Sequence, residues 1–117
     1  MNKILNFCNF TLTLNERINE SKRLLNKYPH KIPVIFYTND NNISIKKNKY
    51  LAYKTFTFDK LILLVRKEIT LINKDGLFFM VNNKIMMMND TIETIYNKEK
   101  NIDGFLYICV CKEETFG

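Results

Sequence analysis

The chain has 117 residues, one domain's worth of material, with 18 Lys+Arg against 12 Asp+Glu and a formal net charge of +6. At 46% hydrophobic and 13% aromatic it carries enough apolar material for a modest core, which excludes a disordered chain, a collagen and a two-lobed enzyme with a large cleft. No apolar run reaches the roughly 18–20 residues needed to cross a bilayer, so an integral membrane protein is not expected.

The first segment, Met1 to Leu14, combines Lys3 with Ile4, Leu5, Phe7 and Phe10. Asn6 and Asn9 interrupt the apolar stretch and no small-residue cleavage site follows, so it reads as a terminal segment packed on the domain rather than a signal peptide. From Leu14 to Lys27 the spacing predicts a helix, with Leu14, Ile18, Ser21, Leu24 and Leu25 on one stripe and Glu16, Arg17, Glu20, Lys22 and Arg23 elsewhere. Thr13 or Asn15 caps its start, and Tyr28-Pro29 ends it because the residue before proline avoids the helical region.

Ile32 to Tyr37 reads as a strand, Thr38 to Asn48 as a polar loop, and Tyr50 to Tyr53 as a second strand. Phe58, Leu61, Ile62, Val65 and Ile69 form the buried stripe of an amphipathic helix capped by Thr57. Asp75-Gly76 turns into Leu77 to Val81, an apolar run expected to be buried on both faces. Asn82-Asn83 reads as a tight turn. Asn89 or Asp90 is expected to cap a short helix through Ile92, Ile95 and Tyr96. Asp103-Gly104 turns into a last strand, Phe105 to Cys111, followed by a polar tail ending in Gly117. The pattern supports an α+β domain with one mixed sheet; its element order is that of a β-grasp, without excluding rivals of the same order.

Five segments carry a more specific signal. Lys27-Tyr28-Pro29-His30-Lys31-Ile32-Pro33-Val34-Ile35 resembles a K-Y-P-x-[KR]-[IV]-P-V-I signature. Lys49-Tyr50-Leu51, Val65-Arg66-Lys67-Glu68-Ile69, Leu77 to Asn83, and Asp103-Gly104-Phe105-Leu106-Tyr107-Ile108 follow in order, and Phe116-Gly117 matches a terminal aromatic-Gly. Together they resemble the autophagy-related protein 8 family, the ubiquitin-like modifiers that include the GABARAP and light-chain-3 proteins. The resemblance implies an α+β ubiquitin-like β-grasp. An N-terminal helical extension would occupy residues 1–27, and the β-grasp core with its conjugation tail residues 28–117.

The resemblance also implies a function. The Gly117 carboxylate would be activated and joined to the amino group of phosphatidylethanolamine by ubiquitin-activating-like and conjugating-like enzymes. A processing and delipidating cysteine protease would act at the same end. Glycine suits this role because it has no Cβ and lets a tail thread a narrow enzyme channel. Motif-bearing receptors would add an aromatic-x-x-aliphatic segment as a strand beside Tyr50 to Ala52. By position, Glu20, Leu24, Pro33, Leu51 and Phe105 map to a first side-chain pocket, and Tyr50, Ala52, Phe56, Leu61 and Leu64 to a second. Lys31, Lys47 and Lys49 are placed to meet acidic flanks of such peptides. The implied location is the cytoplasm and, after lipidation, an autophagosome-type membrane, or a plastid membrane in some lineages. The implied form is a monomer.

The chain departs from the family pattern in several places. Tyr53 stands where a proline is usual, and Glu68 where a basic residue is usual. Ile85-Met86-Met87-Met88 replaces a proline-rich turn, and the Thr38–Asn48 loop looks about two residues short. These changes bear on partner specificity.

The residues suggest no enzyme, metal or cofactor. His30, the one histidine, has no triad partners in sequence. Cys109 and Cys111 share a strand face, but without further Cys or His at ligand spacing they read as core thiols rather than a zinc site. The odd cysteine count favours free thiols over a disulfide framework, and no glycine-rich phosphate loop is present. Two other functions fit less well. A sibling modifier conjugated to protein lysines also ends in Gly, but the Lys27–Ile35 signature and the N-terminal helix argue against it. A nucleic-acid-binding module would need exposed sheet aromatics interleaved with lysines, whereas Phe78, Phe79 and Phe105 sit in apolar runs.

Overall fold

The computed structural model describes residues 12–71 and 76–112. The expectations for the N-terminal segment before Leu12 (Cys8, one of the three cysteines, included), for Asp75, and for Gly117 with its preceding tail lie outside the described residues. In chain order the elements are α1 (Leu14–Lys27), β1 (Lys31–Tyr37), β2 (Ile43–Ile45), β3 (Lys49–Tyr53), α2 (Phe58–Val65) and a 3-10 turn (Arg66–Glu68). There follow β4 (Ile69–Leu71), β5 (Leu77–Val81), β6 (Lys84–Ile85), α3 (Ile92–Glu99) and β7 (Leu106–Lys112). The main sheet runs β3-β1-β7-β5-β6, with β1 and β7 parallel at its centre and antiparallel partners outside them. That mixed order is the β-grasp.

The main core lies on one face of this sheet, where Val34, Phe36, Leu106, Ile108 and Val110 meet Phe58, Leu61, Ile62 and Val65 of α2 and Ile92 and Ile95 of α3. On the opposite face, Ile35, Phe105 and Tyr107 form a smaller cluster with Leu12, Leu24 and Tyr37 under α1. Among the described residues, no helix is long and apolar enough to cross a membrane.

The helix starts follow local chemistry. Thr13 caps α1 as a capping box, its hydroxyl accepting from Glu16 N–H while the Glu16 carboxylate accepts from Thr13 N–H. Thr57 caps α2. The cap of α3 is Thr91 rather than Asn89 or Asp90, since its hydroxyl is the one positioned to accept from Thr94 N–H. Asn82 and Asn83 have φ of 51° and 64°, the two left-handed residues of a type I′ hairpin, whose twist suits the flanking β5 and β6.

Four further expectations are corrected. The Thr38–Asn48 segment contains β2, paired antiparallel with β4, because Ile43-Ser44-Ile45 alternates and meets an equally short strand. The α2 helix stops at Val65, so Ile69 reaches the core from a strand instead of the last helical turn. In β5 only Phe79 and Val81 are buried; Phe78 and Met80 are half-buried because the face they share is not covered by a second layer, and Leu77, at the strand's start, is half-buried against the main core. Cys109 and Cys111 are likewise half-exposed, since they alternate with the core-facing Ile108 and Val110.

Candidate functional site

A cavity of about 330 Å³ opens between α1 and the β1–β3 side of the sheet. Glu20, Leu24, Pro33, Leu51 and Phe105 all line it. They come from α1, β1, β3 and the entry to β7, and only the packing of α1 across the sheet assembles them. Leu12, Arg23, Val34, Lys49 and Tyr50 complete the lining. Sequence reasoning missed Leu12, Arg23 and Val34 as lining, although the Glu20/Arg23 spacing of three on a helix signals a pair that meets.

Beside this cavity lies β3, the terminal strand of the main sheet. It pairs with β1 on one side, with Pro33 opposite Leu51 and Ile32 opposite Ala52. Its other side is an open edge among the described residues, and such an edge presents backbone donors and acceptors to an added strand. Alternation along β3 turns Tyr50 and Ala52 toward the core side and Leu51 toward the cavity side.

The other predicted pocket residues are distributed differently. Ala52 and Leu61 are 2% and 3% exposed, inside the main core. Tyr50 and Phe56 pack at its margin, and Leu64 is 46% exposed. The Tyr53 and Phe56 rings meet edge-on at 5.3 Å, and Lys60 Nζ lies 4.7 Å over the Phe56 ring. Tyr53 is thus part of an aromatic rim.

The rim electrostatics are positive. Arg23 is ion-paired with Glu20, which neutralises the one acid of the lining and leaves Lys49 as its net charge. Lys31 Nζ sits 4.8 Å over the Tyr53 ring, and Lys47 Nζ 5.0 Å over the Tyr50 ring. These cation–π contacts hold both ammonium groups along the strand edge. Tyr50 Oη donates to the Lys47 carbonyl at 2.9 Å. Burial, and then the Glu68 charge, raises its phenol above the ordinary value, so it stays a neutral donor.

A buried ionic contact fixes the wall of the cavity. Arg17 Nε donates to Asp103 Oδ2 at 3.1 Å, with side chains 7% and 0% exposed. The Tyr107 hydroxyl donates to the same carboxylate, and Ser21 Oγ donates to the Asp103 carbonyl at 2.7 Å. Arg17 lies off the apolar stripe, so periodicity gave no reason to bury it. His30 is exposed, and among the described residues no group of three His, Cys, Asp or Glu is placed to hold a metal.

The family model described as autophagy protein Atg8, ubiquitin-like, matches residues 16–117. Autophagy-related protein 8h of Arabidopsis thaliana is 37% identical over 105 residues, covering 88% of this chain and 88% of its own. Autophagy-related protein 8 of Schizosaccharomyces pombe is 35% identical over 107 residues, covering 90% and 88%. Among solved structures, Trypanosoma brucei ATG8 superposes with a TM-score of 0.78 at 24% identity, covering 88% of this chain and 90% of that one. Plasmodium falciparum Atg8, solved in complex with a P. falciparum Atg3 peptide, gives 0.78 at 21% identity over 87% and 92%.

Proposed function

Since the chain belongs to the Atg8 family of ubiquitin-like autophagy proteins, we propose that it is a lipid-conjugated modifier that docks linear peptides on its β3 edge. The observation that carries the docking half is the adjacency of an open strand edge and an apolar cavity lined by Glu20, Leu24, Pro33, Leu51 and Phe105. An incoming strand takes its affinity from β3 backbone groups, and its aromatic residue enters the cavity. Its aliphatic residue, three positions further along and so on the opposite face of the added strand, rests over the Tyr50, Phe56 and Leu64 side, floored by Ala52 and Leu61. Lys31, Lys47 and Lys49 steer acidic flanks. A peptide of the conjugating enzyme is one ligand of this class, supported by the Atg3 peptide seen with P. falciparum Atg8.

The acyl-donor half rests on family membership, with a match that runs through residue 117. In this reading Gly117 is activated, passed between enzyme thiols and joined to phosphatidylethanolamine, the chain itself being no enzyme. A cysteine protease acts at the same bond, residues 1–27 serve as the helical extension, and the protein works as a monomer between the cytoplasm and an autophagosome-type membrane.

Incubation with matched activating and conjugating enzymes, ATP and phosphatidylethanolamine liposomes is expected to add one lipid by mass spectrometry. An unchanged adduct after deletion of Gly117 overturns the conjugation reading. An aromatic-x-x-aliphatic peptide is expected to shift the Tyr50, Leu51 and Ala52 amides in solution. Amides unmoved at millimolar peptide overturn the docking reading.

A further inference from the structure

Outside this site, an unusual grouping of sulfur lies on the sheet face that holds Phe105 and Tyr107. Cys109 Sγ and Cys111 Sγ stand 3.6 Å apart, both half-exposed, and neither belongs to the main core. Directly across the antiparallel β5–β7 pair, Met80 is the register partner of Cys109 and Phe78 that of Cys111. Register partners share a face with Cβ atoms about 4.5–5.5 Å apart. The half-buried Met80 therefore projects on the same side as the two thiols, and its three rotatable bonds let the thioether reach them. A cavity of about 400 Å³, bounded by Asn39, Asp40, Asn41 and Asn42, opens onto both cysteines.

We propose that Cys109, Cys111 and Met80 form a three-sulfur site for a soft monovalent cation of the copper(I) class. Thiolate and thioether donors select such ions over hard divalent ones. With a metal–sulfur distance of about 2.3 Å, sulfurs 3.6 Å apart subtend roughly 100° at the metal. Widening this to a trigonal angle of about 120° separates them by only ~0.4 Å more. A disulfide is a poorer outcome. Residues two apart on a strand direct parallel Cβ atoms about 6.8 Å apart, whereas a disulfide needs about 3.5–4.5 Å.

Binding exchanges protons for the cation without a redox change. The two thiols lose their protons to solvent, each sulfur donates a lone pair to copper(I), and Met80 donates a third.

The test is an anaerobic titration of the full chain, carrying Cys8→Ser, with copper(I) against a chromophoric copper(I) chelator. One equivalent is expected to bind with an ultraviolet copper–sulfur charge-transfer band. Cys109→Ser and Cys111→Ser should each abolish it, and Met80→Leu should weaken it about 10-fold or more. In the chain with both thiols intact and its methionine methyls labelled with carbon-13, the Met80 signal should move on binding and the signals of the other methionines should not. Absence of uptake, uptake that survives loss of both thiols, or a stationary Met80 methyl at saturation each overturns the proposal.

Discussion

The Arg17 guanidinium on α1 is held 3.1 Å from the Asp103 carboxylate at the entry to β7, and both side chains are shielded from solvent. The two residues are 86 positions apart in sequence. Their contact, extended by Tyr107 and Ser21, fixes α1 across the sheet and thereby places Glu20 and Leu24 in the cavity wall.

Removing either partner leaves the other charge buried and unpaired, a situation that costs about 3–5 kcal/mol. Arg17→Met and Asp103→Asn are each expected to destabilise the protein on that scale in urea unfolding. The double variant should lose less than the sum of the two. Each single variant should also weaken peptide binding, since the wall carrying Leu24 is no longer pinned.

Gly104 has φ of +90°, and a Cβ there would collide with the Ser21 hydroxyl. Gly104→Ala combines that clash with left-handed strain, which costs about 1–3 kcal/mol. Thermal denaturation should show the loss. Adding Ser21→Gly should restore only part of it, because the backbone angle remains and the Ser21 bond to the Asp103 carbonyl is lost.

Lys49 lines the peptide cavity and is exposed. Lys49→Ala is expected to weaken an acidic-flanked peptide by about 0.2–1 kcal/mol, or roughly 1.4- to 5-fold. A neutral-flanked peptide should be nearly unaffected. Calorimetric titration should show the difference vanish toward ~1 M salt, where the screening length is about 3 Å.

The β5–β6 hairpin carries a pH-sensitive contact. Lys84 Nζ donates to Glu99 Oε2 at 2.6 Å and Asn82 Nδ2 to Oε1 at 2.9 Å. These bonds, Lys84 first, hold the Glu99 carboxyl below its ordinary value of 4.5. A carboxyl depressed in the folded state stabilises it above the unfolded value, and that stabilisation is lost as pH falls through the folded value. Glu99→Gln should lower the thermal midpoint slightly at neutral pH. The difference from the parent protein should close in acid.

Much of the architecture was legible in local pattern. The stripe Phe58, Leu61, Ile62 and Val65 and the left-handed turn at Asn82-Asn83 are local demands, met by spacing or by backbone angle. Short-range pattern failed where pairing across distance decides. Ile43-Ser44-Ile45 is a strand only because Ile69-Thr70-Leu71 lies beside it, and the same pairing draws Ile69 out of the helix. Arg17 looked solvated because its partner Asp103 lies far along the chain.

The amino-acid sequence by itself determined the helices and the long strands, the mixed α+β class and the resemblance that named Glu20, Leu24, Pro33, Leu51 and Phe105, since caps, periodicity and ordered motifs are written in near neighbours. It also set a net charge of +6. Only the tertiary structure decided where that charge acts. One basic side chain is spent on Asp103 and one on Glu20, while Lys31, Lys47 and Lys49 line the β3 edge. The reason is geometric: an ion pair, a strand edge and a cavity exist only between segments brought together by packing. The same packing set Met80 across from the two thiols of β7.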